Sequence, residues 1–96
     1  MAEFTTIWTN EAFDDLLQIE DFLGIDKASK VIDKIIERTR RLENFPLSGK
    51  IQQTQTRQEY RFLVEGNYKI IYSFRGNKVY INAIFDTRQD PEKLKV

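Results

Sequence analysis

Two Gly-Asn pairs, Gly66-Asn67 and Gly76-Asn77, stand ten residues apart among three runs of alternating, aromatic-rich sequence. A two-residue loop led by glycine favours a type II′ turn and sets which residues oppose each other across a hairpin. The C-terminal half is therefore predicted to be a three-stranded antiparallel meander with a defined register. Glu65 should oppose Tyr68, Leu63 Ile70 and Arg61 Tyr72, while Val64 with Lys69, Phe62 with Ile71 and Tyr60 with Ser73 share the other face.

Carried through the second turn, the register adds Phe74, Val79, Ile81, Ala83 and Phe85 to the first face. It adds Arg75, Lys78, Tyr80, Asn82, Ile84 and Asp86 to the second. The first face is almost wholly apolar and is the predicted core. The second mixes Tyr60, Phe62, Val64, Ile71, Tyr80 and Ile84 with Lys69, Arg75 and Lys78, too apolar for a solvent face and too charged for a core. Such a surface is expected to be partly covered by a partner.

The remaining 1–59 must supply the layer that covers the core face. Phe4, Thr6 and Trp8 alternate with Glu3, Thr5 and Ile7 as a short strand, and Thr9 and Asn10 offer helix N-cap chemistry. From Glu11 to Leu23 a helix is predicted, with Phe13, Leu16, Leu17, Glu20 and Leu23 on one stripe widened by Ile19 and Phe22, so that it is buried on more than one side. Gly24 is placed to end it, and Asp26 to cap a second helix that ends near Asn44, because Phe45 precedes Pro46. In that helix Ala28, Val31, Ile32, Ile35, Ile36 and Leu42 recur at three- and four-residue spacing. Residues 46–58 read as a long polar loop, of a length that is often functional or mobile. After the last strand, Asp90 and Pro91 can start one helical turn through Leu94. The predicted class is α+β in the order β-α-α-β-β-β, with the meander packed on a helical hairpin.

Ninety-six residues with 41% apolar content make one small domain over 1–96, able to bury roughly 60–65% of its unfolded surface. The chain has no Cys and no His, which excludes disulfides, thiolate chemistry, an imidazole base and His-based metal sites. Glu11, Asp14, Asp15, Glu20 and Asp21 on the first helix are read as solvated acids favouring the helix dipole, and no metal or other cofactor is expected. No apolar run is long enough to span a membrane and Glu3 lies where a signal peptide would be apolar, so a cytoplasmic location is expected. The net charge is zero, yet residues 1–48 hold six Lys or Arg against ten Asp or Glu, and residues 49–96 hold nine against five. The halves carry minus four and plus four, which predicts an anion-seeking meander.

The element order, the Arg-x-Leu strand at Arg61 to Leu63, the Gly-x-Tyr-x-Ile-x-Tyr hairpin at Gly66 to Tyr72 and the Asp-x-Arg-x-Asp exit at Asp86 to Asp90 resemble the ParE/RelE toxin superfamily over essentially the whole chain. The resemblance implies a small bacterial toxin of a type II toxin-antitoxin module, of the plasmid-stabilisation type, inhibiting growth until a cognate antitoxin wraps it. RelE-like members cut mRNA in the ribosome with strand cations, an Arg after the last strand and a Tyr or His near the C-terminus. ParE-like members lack that set and inhibit DNA gyrase.

By this resemblance Lys69 stands where the RNase branch usually has a strand Arg, Arg88 is kept at the strand exit, and Tyr60 and Phe62 stand where strand lysines would lie. Leu94 stands near the expected acid-base position. Cleavage by 2′-hydroxyl attack needs a proton acceptor, a proton donor and cations for the phosphorane charge, and only the cations are evident. The chain is therefore placed closer to the ParE-like branch, as a protein-binding toxin rather than an enzyme. The alternatives are a ribosome-dependent mRNA endonuclease using Lys69 and Arg88 with Tyr60 or Tyr80, and a non-toxic antitoxin-binding module.

Target or antitoxin binding is expected at Phe22, Phe62, Lys69, Ile71, Arg75, Tyr80 and Arg88. Alanine at Phe22, Phe62 or Ile71 should weaken the antitoxin complex while leaving the fold intact. Arg88 can instead pair with Asp86 or Asp90. Arg61 falls on the core face and is expected to find a carboxylate, Glu65 or Glu20.

Overall fold

A computed structural model describes residues 3–94. Its elements are β1 (Thr5–Trp8), α1 (Asn10–Leu23), α2 (Ile25–Arg41), β2 (Lys50–Gln52), β3 (Tyr60–Glu65), β4 (Tyr68–Arg75), β5 (Lys78–Asp86) and a 3-10 turn at Pro91–Lys93. They form a five-stranded mixed sheet in the order β1-β5-β4-β3-β2, in which β1 runs parallel to β5 and the other neighbours are antiparallel. The expected α+β order holds, with β2 added from within the segment read as polar loop. A three-residue edge strand has too little period for the sequence to reveal it.

The two Gly-Asn turns set the register as expected. Gly66 and Gly76 have φ of +58° and +59°, and no non-glycine residue among those described has positive φ, which is the type II′ pattern rather than I′. Across β3 and β4, Glu65 faces Tyr68, Leu63 faces Ile70 and Arg61 faces Tyr72.

The register expected for β5 fails at Asn82. Tyr72 pairs with Ile81 but Ile71 pairs with Ala83, so Asn82 is an extra residue, a β-bulge that inverts the facing of everything after it. Ile84 consequently joins the core, opposite Ile70, and Asp86 comes to lie beside Tyr68. Ala83 and Phe85 move to the outer face, against the sequence expectation for all four residues. The bulge is held by Asn82 Nδ2, which donates to Ser73 Oγ at 3.0 Å and to the Tyr80 carbonyl at 3.2 Å.

The helical hairpin lies on the core face. Ala12, Leu16 and Ile19 recur at four and three residues along α1, Ala28, Ile35 and Leu42 at seven along and just beyond α2, and all are buried against Tyr68, Ile70, Tyr72, Val79, Ile81 and Ile84 of the sheet. Burying a side chain of this size contributes about 1.5–3 kcal/mol. Of the two expected caps of α1, Thr9 acts: its hydroxyl accepts from Ala12 N at 3.2 Å and donates to the Ile81 carbonyl at 2.9 Å. It thus joins the helix start to the end of the β1–β5 pairing. Gly24, at φ +84°, both ends α1 and precedes Ile25 of α2. Asp26 is therefore inside the first turn of α2, not its cap.

The expectation that α1 is buried on more than one side is corrected. Phe13 and Leu17 remain 53% and 46% exposed, because a two-layer fold covers only the stripe that meets the sheet.

Residues 46–49 are held by two core-face side chains. Tyr72 Oη donates to the Pro46 carbonyl at 2.6 Å and accepts from Gly49 N at 2.9 Å. Arg61 Nη1 donates to the Gly49 carbonyl at 2.8 Å, and its Nε lies 3.3 Å from Glu59 Oε2. The partner of Arg61 is thus Glu59 with a backbone carbonyl, not Glu65 or Glu20; Glu65 instead lies 3.8 Å from Arg38 and Glu20 is exposed.

Candidate functional site

The outer face of the sheet carries most of the residues singled out in the sequence. Tyr80, Ser73, Tyr60 and Gln52 lie in one row across β5, β4, β3 and β2, and Ala83, Ile71, Phe62 and Lys50 in the next. Phe85, Lys69 and Val64 form a third row, and Lys78 faces Arg75 at the turn end. Because the bulge removes Asp86 from this face, no carboxylate stands at any of its paired positions. Four cations do: Lys50, Lys69, Arg75 and Lys78. The meander is therefore electropositive on its outer side, as the charge split along the chain predicted.

Tyr60, Arg75 and Tyr80 converge. With Gln58, Ser73 and Asn82 they line an open cleft of about 310 Å³, and Arg75 takes part in no ion pair among the described residues. Lys69 is committed differently. Its Nζ sits 4.3 Å from the centroid of the Phe62 ring and donates to Gln52 Oε1 at 3.2 Å, so it folds back over the sheet and half covers Phe62.

Arg88 is not part of this group. It makes a two-point contact with Asp86, Nε to Oδ1 at 3.0 Å and Nη2 to Oδ2 at 2.8 Å, and its guanidinium holds the Asp86 carboxyl below its usual range. Five residues of β5, one of them the bulge, separate Tyr80 from Asp86, roughly 17–20 Å at the usual rise per residue. The bulge also points Asp86 to the opposite face. The structure thus brings Tyr60, Arg75 and Tyr80 together, holds Lys69 against Phe62, and leaves Arg88 apart.

Ile71 is fully buried, so it cannot be the exposed contact the sequence suggested. Its cover comes from the same chain. Pro91, Glu92 and Leu94 share a cleft with Gln52–Gln55, and Lys93 and Leu94 share another with Asn82, Ala83 and Phe85, so the C-terminal turn crosses the outer face. The protein itself covers part of what was assigned to a partner. Ile71→Ala is accordingly expected to cost about 2–4 kcal/mol, read as a lower urea midpoint with an unchanged denaturant slope.

Phe22 is 77% exposed at the end of α1, followed by Ile25 at 73%. With Phe13 and Leu17 they give the helical hairpin four large exposed apolar side chains. The sequence reading missed Phe13 and Leu17, although a signal existed: α1 carries seven large or small apolar side chains over Ala12–Leu23, more than one buried stripe can absorb.

Beside β5, Asp15 Oδ2 accepts from Ile84 N at 2.9 Å. Burial pushes the Asp15 carboxyl above its ordinary 3.8, against the pull of that N–H, and nearby Asp14 and Glu11 add to the rise. A carboxyl raised in the folded state binds more protons than in the unfolded chain between 3.8 and its raised value. Its contribution to stability therefore grows as pH falls through that window and is lost at neutral pH. Asp15→Asn, which keeps an oxygen acceptor, should be at least as stable as the parent at pH 7 and should lose this gain towards pH 4. Urea midpoints of the two proteins across pH 4–7 read the difference, the opposing effect of Asp86 being common to both.

The chain matches the family model described as ParE toxin of type II toxin-antitoxin system, parDE, over residues 6–91. Among solved structures it is similar to one titled as the chromosomal ParDE TA system from P. aeruginosa, with a TM-score of 0.73 and 22% identity over 88% of this chain and 96% of that one. It is also similar to the YoeB dimer from Staphylococcus aureus, with a TM-score of 0.56 and 20% identity over 85% and 94% of the two chains. No match was found among curated protein sequences. The likeness to the two structures is one of fold, and the family match covers the sheet, both helices and the strand exit, so the chain belongs to the ParE toxins of type II toxin-antitoxin systems.

Proposed function

We propose that this ParE-type toxin acts in the cytoplasm by binding and inhibiting a protein target, with DNA gyrase the candidate the family implies, and that a cognate antitoxin holds it inactive. The observation that carries this reading is the dispersal of its cations. Stabilising a phosphorane requires several donors aimed at one point. Here Arg75 lies at one end of the outer face, Lys69 is folded over Phe62 and Arg88 is bound to Asp86 on the other side. A spread of cations and aromatics on one face suits an acidic protein surface instead. No described helix is long and apolar enough to cross a membrane.

The test is a supercoiling assay with purified, antitoxin-free protein. Inhibition of gyrase at concentrations that arrest growth is the expected result, and unaffected supercoiling at those concentrations overturns the reading. The cleft formed by Tyr60, Arg75 and Tyr80 favours one second reading, mRNA cleavage on the ribosome. Toe-printing in a translating extract would then show cuts in the A site that Tyr60→Phe or Tyr80→Phe removes.

For the antitoxin we infer the exposed side chains Phe13 and Leu17, one turn apart on α1, as the apolar contact surface, on which an amphipathic segment would lie. They supply large apolar area that folding leaves uncovered, as central contacts of an interface do.

A further inference from the structure

One helical layer on one sheet makes a slab, 21 Å in its shortest dimension against 36 and 34 Å in the others. It has two broad sides, the exposed side of the helical hairpin and the outer face of the sheet, and their charges are opposite. On α1, Phe13, Leu17 and Glu20 follow at i, i+4 and i+7, and Asp14 and Asp21 stand one position on from Phe13 and Glu20, so the two exposed apolar side chains lie among carboxylates. All three of these acids are exposed, and α1 carries five acids and no base. Asp26, Asp33 and Glu37, with Arg40 beside them, follow one side of α2. Its cations Lys30, Lys34, Arg38 and Arg41, at i, i+4, i+8 and i+11, follow another side, turned towards β3, where Arg38 Nη2 donates to the Val64 carbonyl at 3.4 Å.

The outer face of the sheet is the converse. Arg75 lines the cleft that holds Tyr60 and Tyr80, and its cross-strand partner Lys78 is exposed beside it. Lys50 and Lys69 stand farther along the face, and the C-terminal turn that crosses it adds Asp90, Glu92 and Lys93, one negative charge net. None of the three ion pairs among the described residues uses Asp14, Glu20, Asp21, Arg75 or Lys78. Each broad side thus has apolar or aromatic groups at its centre, charge of one sign around them, and no neutralising partner within the chain. Like sides cannot meet: two hairpins face to face would oppose carboxylates, and two sheets face to face would oppose Arg75 and Lys78 with cations. Unlike sides complement each other in charge and in apolar content.

We propose that a second copy of this chain occupies these surfaces, the α1 side of one copy docking on the outer sheet face of the next. Phe13 and Leu17 would lie over Tyr60 and Tyr80, with Asp14, Glu20 and Asp21 towards Arg75 and Lys78. Such a contact is heterologous, since each copy offers a different face to each neighbour, so it grows as a stack unless its rotation closes a ring. Its attraction is electrostatic and falls with salt. Each docked copy hides its neighbour's cationic face, and association therefore withholds free toxin; that consequence rests on the target reading above, whereas the association itself does not.

Sedimentation equilibrium of the full chain without antitoxin tests this. At about 0.01 M salt, where charges act over roughly 30 Å, the average mass should rise from one chain to more than two between about 10 µM and about 1 mM, the range of weak contacts. In about 1 M salt, which screens beyond roughly 3 Å, it should return to one chain. A helix-side variant, Asp14→Asn with Glu20→Gln and Asp21→Asn, and a sheet-side variant, Arg75→Gln with Lys78→Gln, should each lose the association. All five positions are exposed, so both variants should keep the parent's thermal midpoint to within a few degrees. Mixed together, the two should form a pair with one copy of each and nothing larger, because each brings the intact side that the other lacks. A chain that stays single at low salt overturns the proposal, as does association that persists unchanged at high salt. A plateau at two chains, or either variant alone associating like the parent, identifies symmetric pairing through one side and overturns it as well.

Discussion

Gly49→Ala is expected to lower stability by about 3 kcal/mol, the upper part of the range for overpacking a buried site. A Cβ on Gly49 would stand 2.6 Å from Tyr72 Oη, 2.7 Å from Tyr72 Cε1 and 2.8 Å from the Phe62 carbonyl oxygen. The last belongs to the backbone of β3 and cannot rotate away. The Gly49 φ is not in the left-handed region, so the effect is one of space and not of backbone conformation. Relief by movement of the loop would break the Tyr72 bonds to Gly49 N and the Pro46 carbonyl, at about 1–3 kcal/mol for each buried group left unpaired. Urea unfolding measures the loss. Tyr72→Phe removes one of the three overlaps, so in a double-mutant cycle the combined loss should be smaller than the sum of the two, yet larger than that of Tyr72→Phe alone. Strict additivity would show that Gly49 does not contact Tyr72.

The largest expected effect on binding follows from Phe13 and Leu17. The double substitution Phe13→Asp, Leu17→Asp should weaken antitoxin binding by more than a hundredfold, since truncation of a central contact typically costs about 2 kcal/mol or more and the new charges must be buried uncompensated. Stability of the free toxin should change by less than about 0.5 kcal/mol per site, as for exposed positions generally. Titration calorimetry and thermal unfolding separate the two quantities. Unchanged affinity in the double variant would place the antitoxin contact elsewhere.

Most of the fold is legible along the chain because its signals are local. A glycine followed by asparagine sets a hairpin through φ, threonine after a short alternating run starts a helix, and seven-residue recurrence of Ala28, Ile35 and Leu42 marks the buried side of α2. Up to Ile81 the alternation of the meander assigns each residue to a face correctly. The site is less legible. The exposure of Phe13 and Leu17, the cover over Ile71 by the C-terminal turn and the capture of Lys69 by Phe62 and Gln52 all depend on segments distant in sequence.

What the sequence determined by itself is thus the class of fold, the strand register as far as Ile81, the separation of acidic helices from a basic meander and the membership that these features carry. The tertiary structure alone decided which side of the sheet each residue beyond Asn82 occupies. The reason is the period of a strand: one unpaired residue inverts every side chain after it. Asn82 forms that bulge only because Ser73, the Tyr80 carbonyl and Thr9 meet it there. Through this one residue Ile84 enters the core, and Asp86, with Arg88 bound to it, leaves the cationic face.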